Sequence, residues 1–202
     1  MAIPIKQVAT VGYYIFKQKV LGRKRYPLVL MLEPLFRCNL ECLGCGKIQK
    51  PNEILRKNLS PEECFRAAEE CGAPVVSIAG GEPLMHPKIV EIVNGLVEQG
   101  RYVYLCTNAL LLDTFFEKLP RSHLLTLSIH LDGNEEEHDR IVDRPGTYKK
   151  AVGAICKAKE LGFRVTCNTT IFDNVSLEEA EKFFDSIKPL KIDGITVSSG
   201  FQ

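Results

Sequence analysis

Three cysteines stand within eight residues, Cys38-Asn-Leu-Glu-Cys42-Leu-Gly-Cys45, a C-x3-C-x2-C spacing. Thiolates are soft ligands suited to zinc, copper(I) and iron–sulfur clusters. A structural zinc site takes four protein ligands, commonly in paired C-x2-C arms, and no fourth ligand stands near this triplet in the sequence. Clusters held by thiolates are normally fully ligated. Three thiolates on one loop therefore suit a [4Fe–4S] cubane with one iron left to an external ligand and chemistry at that corner. The other five cysteines, Cys64, Cys71, Cys106, Cys156 and Cys167, are scattered. With no export signal, eight cysteines read as metal ligands, catalytic thiols or buried hydrophobes rather than as a disulfide framework.

Other unusual polar groups recur at regular intervals: Gly80-Gly81-Glu82-Pro83, Cys106-Thr107-Asn108, His130-Leu131-Asp132-Gly133, Asn168 and Ser198-Ser199-Gly200. Each ends or follows a short apolar run, near 28–34, 74–79, 102–106, 124–130, 163–170 and 193–198. These runs, rich in Val, Ile, Leu and Tyr, read as strands. Amphipathic stretches near 61–71, 87–99, 110–118, 147–161 and 176–187 read as helices between them. The first opens on Ser60-Pro61-Glu62-Glu63, a cap followed by proline and acids. Gly72, Gly100 and Gly162 stand where helices should stop.

Strands alternating with helices make a parallel sheet covered by helices. An open sheet gathers its ligand contacts at one crevice, whereas a β/α barrel builds its site from the carboxyl ends of several strands. Every unit here carries its odd residues at that end, so the fold class is α/β, a partial (β/α)6 TIM-like barrel. Period-two alternation sets Tyr102, Tyr104 and Cys106 on one face of their strand.

The 202 residues include 26 Lys and Arg against 25 Asp and Glu, with 45% hydrophobic residues, a balance that excludes a disordered chain. No run approaches the ~20 apolar residues of a membrane span. Residues 1–32 nevertheless hold Lys6, Lys17, Lys19, Arg23, Lys24 and Arg25 and no acid. Val8, Val11, Ile15, Phe16 and Val20 recur there at helical spacing. Residues 1–26 are thus a basic amphipathic helix, which either packs over the bottom of the domain or lies on an anionic membrane. Residues 27–202 form the core domain.

The CNLECLGC loop resembles the signature of the radical S-adenosylmethionine (SAM) superfamily, and the likeness runs from residue 28 to the end of the chain. It implies that Cys38, Cys42 and Cys45 hold a [4Fe–4S] cluster whose fourth iron is chelated by SAM. Gly80-Gly81-Glu82-Pro83 is similar to the family's GGEP motif, which implies glycines that let backbone approach the ligand and a Glu82 that accepts from the SAM ammonium. HLDGNEEEHD is similar to a stretch that places Asp132 and the position of His130 near the SAM ribose. Asn108, Asn168 and Ser198 are further cofactor candidates, and Arg140 or Arg144 could meet the SAM carboxylate. Leu43 stands where the family usually has an aromatic residue.

A narrower resemblance, carried by the N-terminal helix through LEPLFRCNL, by CGAPVVSIAGGEPLMHP, YVYLCTNALLL, HLDGNEEEHD and DGITVS, is to the HpnH-type adenosyl-hopene transferases of hopanoid biosynthesis. It implies a transferase that adds the 5′-deoxyadenosyl radical to the terminal alkene of diploptene to give adenosylhopane. The triterpene radical so formed must be quenched, and Cys106 is the candidate hydrogen-atom donor. The resemblance further implies a flavodoxin or ferredoxin as electron donor. Without an export signal the chain is expected in the cytoplasm; the lipid substrate adds peripheral contact at the inner membrane face through residues 5–25, and no nucleic-acid partner is expected. Enzymes of this type continue well past the point corresponding to Gln202, so a core without their C-terminal extension is expected. Two other readings stay open: a radical SAM enzyme that abstracts hydrogen from a peptide or other small substrate, and an inactive truncated cluster-binding fragment.

Overall fold

The computed structural model describes residues 3–173 and 175–200. Helix α1 (Ile5–Val20) precedes strand β1 (Val29–Leu32), which leads through the cysteine loop to the short α2 (Asn52–Leu55) and α3 (Pro61–Cys71). Then come β2 (Val75–Ile78), α4 (Ile89–Glu98), β3 (Tyr102–Thr107), β4 (Leu125–His130), α5 (Glu135–Ile141), α6 (Thr147–Glu160), β5 (Arg164–Phe172), α7 (Leu177–Ile187) and β6 (Gly194–Gly200). The six strands lie in sequence order, every neighbouring pair parallel. They make the curled half-barrel expected from the sequence.

Local chemistry sets the boundaries. Ser60 accepts from the Glu63 N–H while the Glu63 carboxylate accepts from the Ser60 N–H, a complete capping box ahead of α3. Ser176 and Glu179 repeat it at α7. Helix α3 ends where Gly72 turns left-handed at φ +68°, a conformation that costs residues with a Cβ.

Alternation sorts each strand between two environments. Val76 and Ile78, Val103 and Leu105, Leu125, Leu127 and Ile129, and Val165 and Cys167 point outward and are fully buried against Ile92, Val93 and Leu96 of α4 and Ala154, Ile155 and Ala158 of α6. The concave face is polar: Ser77, Tyr104, Cys106, Thr126, Ser128, Thr166, Asn168 and Thr170 occupy the alternate positions. An inward-facing polar surface inside an apolar shell is the framework on which a site can be built.

Besides the short α2, which the sequence reading did not include, two elements differ from it. The stretch 110–118 is not a helix but a chain of turns with one 3-10 turn at Leu112–Thr114. Its hydrogen bonds run to the third residue back, from Phe115 to Leu112 and from Lys118 to Phe115, after Ala109 has left helical space at φ +65°. The helical spacing of Leu112, Phe116 and Leu119 still buries all three, so the apolar pattern reported burial rather than backbone state. Conversely, α5 begins within the HLDGNEEEHD segment and runs two residues past it, with Asn134 capping it by accepting from the Glu137 N–H. A cap residue followed by three acids was the available signal.

Helix α1 spans 5–20 rather than the whole basic segment, and closes the amino-terminal end of the barrel. Gln7 and Gln18 are its two buried side chains. Gln7 exchanges hydrogen bonds with the Tyr104 hydroxyl at 3.1 and 3.3 Å, and Arg23 donates to Gln18 Oε1 at 3.2 Å. Among the described residues no helix is long and apolar enough to cross a membrane.

Candidate active site

The cysteine loop is fixed by the ends of the neighbouring strands. Ala79 N–H donates to Leu32 O at 2.8 Å, Gly81 N–H to Leu35 O at 3.1 Å and Glu82 N–H to Arg37 O at 3.0 Å, zipping the β2 turn along the root of the loop. A Cβ on Gly80, already at φ +117°, would lie 2.2 Å from Leu35 O, and one on Gly81 2.0 Å from Arg37 O. Both glycines are therefore required by the close approach of this loop, a role in addition to the ligand approach expected of them. Asn108 reaches across from β3: its amide donates to Asn39 Oδ1 at 2.7 Å and lies 3.9 Å from Cys38 Sγ. Further out, Leu43 N–H donates to Ile141 O at 2.8 Å and Arg144 to Asn39 O at 3.3 Å.

Cys38, Cys42 and Cys45 line one cavity of about 470 Å³ together with Gly80, Gly81, Glu82, Cys106, Asn108, His130, Asp132 and Asn168. The structure thus gathers twelve residues from the sequence, if Thr107 is counted with them, into one concavity at the carboxyl ends of the strands. Burial, together with the neighbouring Cys38 and Cys45, pushes the Cys42 thiol up to about 12, and burial also raises Cys38. A bound metal overcomes the resistance of Cys38 and Cys42 to ionising because it binds the thiolates directly. Among the described residues no three His, Cys, Asp or Glu side chains converge on a single-ion site.

Glu82 is 1% exposed, and its carboxylate accepts from Thr107 Oγ1 at 2.8 Å, from the Leu84 N–H at 3.0 Å and from the Asn108 N–H at 2.8 Å. Burial raises its pKa against the pull of those three donors. A carboxylate offers about four lone-pair sites, so one acceptor position remains. No cationic side chain of the described residues pairs with it in an ion pair, and a buried carboxylate without a counter-charge favours a cationic ligand.

On the far wall, Asp132 is 1% exposed and its Oδ1 accepts from the Thr170 N–H at 2.6 Å. Its Oδ2 lies 2.7 Å from His130 Nε2, outside hydrogen-bond alignment. Asp132 N–H donates to His138 Nδ1 at 3.1 Å, and burial, then the neighbouring His130, lowers His138 to about 4. A neutral imidazole there buttresses the Asp132 backbone. Asp139 accepts from the Gly146 and Tyr148 N–H groups, so the His-Asp pair of the motif shapes the loop rather than the cavity.

Cys106 projects from the floor of the cavity, with Sγ 3.4 Å from Ser77 Oγ and in register with Ser128. Burial raises its pKa, keeping the sulfur protonated. Two sequence candidates fall outside the cavity lining. Pro83 is buried at the start of a 3-10 turn, where its missing N–H costs nothing. Ser198 lies in register with Thr170 but on the open edge strand, where it is exposed. Gly200 lines the cavity instead.

Neither arginine candidate reaches the cavity: Arg140 pairs with Glu137 at 3.3 Å, and Arg144 holds Asn39. The cation that does line it is Lys47, which pairs with Glu33. A lone lysine two residues past Cys45 carried no signal in the sequence. Ser128, Thr170 and Phe172 also line the cavity, and only strand register reveals them.

The family model described as "Radical SAM superfamily" matches residues 32–187. This chain belongs to the radical SAM superfamily. Members of the superfamily use a [4Fe–4S] cluster and SAM, and the residues here fit both: three soft thiols at one wall, a buried carboxylate with a free acceptor position at another.

Two curated relatives share this radical SAM region. The AdoMet-dependent heme synthase of Methanosarcina barkeri is 31% identical over 169 residues, covering 81% of this chain and 48% of the relative. The GTP 3′,8-cyclase of Aquifex aeolicus is 30% identical over 171 residues, covering 79% and 53%. The chain thus spans about half the length of the curated relatives it matches. Streptococcus suis SuiB bound to S-adenosylmethionine superposes with a TM-score of 0.76 at 21% identity, over 98% of this chain and 47% of SuiB. At that identity the likeness shows the fold alone.

Proposed function

We propose that this radical SAM chain is the catalytic core of an adenosyltransferase that joins the 5′-deoxyadenosyl group to the terminal alkene of a hopene such as diploptene. The observation that carries the reading is the Cys106 side chain, which lines the same cavity as Cys38, Cys42 and Cys45. A cluster held there would supply the electron that splits SAM into methionine and the 5′-deoxyadenosyl radical. In this reading Cys38, Cys42 and Cys45 hold the cluster. The free acceptor position of Glu82 takes the SAM ammonium, Gly80 and Gly81 fix the loop, and Asn108, His130, Asp132 and Asn168 border the nucleoside.

Addition to the alkene breaks its π bond, forms one C–C bond and leaves an unpaired electron on the triterpene. Cys106 donates the hydrogen atom of its S–H to that carbon. The thiyl left behind returns to the thiol by taking one electron and one proton, the electron from a flavodoxin- or ferredoxin-class donor. A hydrocarbon of this size is dissolved in the bilayer, so the reading sets the enzyme at a membrane surface.

The test is anaerobic incubation with dithionite, SAM and diploptene, followed by mass spectrometry of the products. Adenosylhopane is expected from the wild type. Cys106→Ala is expected to keep SAM cleavage and lower adduct formation about tenfold or more, equivalent to about 1.4 kcal/mol in the quenching step. Normal adduct at a normal rate from Cys106→Ala would remove the thiol from the mechanism.

A second reading is favoured by the relatives, which are named for cyclisation and heme synthesis rather than adenosyl transfer. In it the radical abstracts hydrogen from a peptide or other small substrate. Release of free 5′-deoxyadenosine in step with such a substrate, with no hopene adduct, would select it.

A further inference from the structure

Helix α1 turns five of its apolar residues outward, while Val11, Tyr14 and Ile15 are half-buried. The face toward the barrel carries Gln7 and Gln18, each 6% exposed, whereas Ile5 is 82%, Val8 51%, Tyr13 69%, Phe16 64% and Val20 69% exposed. These five sit at helical spacing on one side, so they form a continuous stripe rather than scattered exposures. Lys6 and Lys17 flank the stripe along one side and Lys19 along the other. Arg23, Lys24 and Arg25 follow its end, and residues 1–32 hold no acidic side chain.

The same end of the barrel adds more positive charge. Ile5 and Lys6 border a concavity beneath β4, β5 and β6 that is lined by Arg121, His123, Lys159 and Arg164, with Asp193 as its one carboxylate among the described lining residues. Asp193 is already committed: it accepts from Lys159 at 2.6 Å and from the Val165 N–H at 2.8 Å. Arg121 is exposed, its guanidinium lying over the Phe163 ring at 4.1 Å. This end therefore offers an apolar ridge one helix long, rimmed along residues 1–32 by cations with no acidic side chain among them. An apolar protein partner would account for the ridge but not for a rim of a single sign. An anionic lipid surface accounts for both, since acyl chains receive the ridge and headgroup phosphates the rim.

We propose that the amino-terminal end of the barrel is a docking face for an anionic lipid bilayer, with α1 lying in the interface and its Ile5, Val8, Phe16 and Val20 side chains entering the acyl boundary. The inference does not depend on hopene as substrate, because docking requires neither cluster nor SAM. Docking by this face turns the cavity away from the bilayer, so a lipid substrate would leave the membrane before it reached Cys106.

The test is co-sedimentation of the whole chain with vesicles of phosphatidylcholine containing phosphatidylglycerol, against phosphatidylcholine alone. Binding to the anionic vesicles is expected, weaker without phosphatidylglycerol and weaker as salt rises. Replacing Phe16 and Val20 together by Ser is expected to lower the partition constant at least about tenfold. Lys17→Gln is expected to lower it about fivefold, the equivalent of about 1 kcal/mol per basic residue at such a surface. All three side chains are exposed, so circular dichroism should show the variants folded. Absence of binding by the folded wild type overturns the proposal, as does equal binding to both vesicle types. A dimer in analytical ultracentrifugation that the Phe16 and Val20 replacements dissociate, with no vesicle binding, would assign the stripe to a second copy and also overturn it. Vesicle binding without adenosylhopane formation would leave the docking face standing and remove only the hopene reading.

Discussion

The two ends of this half-barrel are built from the same six strands and hold opposite kinds of polar chemistry. At the amino-terminal end, Tyr104 and Gln7 satisfy each other inside the molecule, and Ile5, Val8, Tyr13, Phe16 and Val20 of α1 face out. At the carboxyl end, the polar groups are held by the backbone yet left with something to give: Glu82 keeps a free acceptor position, Cys106 a hydrogen, and Cys38, Cys42 and Cys45 their sulfurs. The difference teaches where stability and function are divided in a parallel β/α sheet. Strand starts meet helices and loops that bury or pair what the strands present. Strand ends release side chains into loops that are fixed by main-chain hydrogen bonds, so their side chains remain available.

The sharpest way to break that division is at Gly81. In Gly81→Ala the new Cβ would meet Arg37 O at 2.0 Å and Phe36 O at 2.4 Å, both backbone atoms. The cysteine loop must shift, and a destabilisation of about 3 kcal/mol or more is expected, with loss of iron after anaerobic reconstitution. Urea unfolding and iron analysis would check both. Gly153→Ala is the control: it lies in α6 with nothing within 4 Å of the added Cβ. There a gain of about 0.5–1 kcal/mol is expected.

A smaller effect should follow at Glu82. Glu82→Gln removes the uncompensated charge and turns one acceptor into a donor facing the donors of Thr107, Leu84 and Asn108. About tenfold weaker SAM binding is expected by equilibrium dialysis of the reconstituted protein, the equivalent of about 1.4 kcal/mol. Unchanged affinity would show that the free acceptor position does not meet the ligand.

The smallest effect belongs to the other end. Tyr104→Phe leaves Gln7 buried without its partner, and a loss of about 1 kcal/mol is expected in urea unfolding, with iron content unchanged. A Tyr104→Phe variant that lost iron would show that the two ends are coupled after all.

Much of this was legible from the chain alone, because it depended on neighbours in sequence. Alternation within β3 assigned Cys106 and Tyr104 to one face, and the Ser60 and Glu63 pair fixed the start of α3. The C-x3-C-x2-C spacing and its place after β1 announced the site. What the sequence could not decide was contact between distant segments. Ser198 matched the pattern of the other strand ends, yet on the edge strand β6 it is exposed among the described residues. Lys47 matched no pattern, yet the loop folds it into the cavity. The glycines at 80 and 81 answer to Leu35, Phe36 and Arg37, some forty-five residues earlier. Helix α1 shows the limit most plainly. Its sequence specified an amphipathic helix with two unlike faces, but the face that turns inward was decided at the barrel floor, because the buried Gln7 amide needs a hydrogen-bond partner and the Tyr104 hydroxyl supplies one.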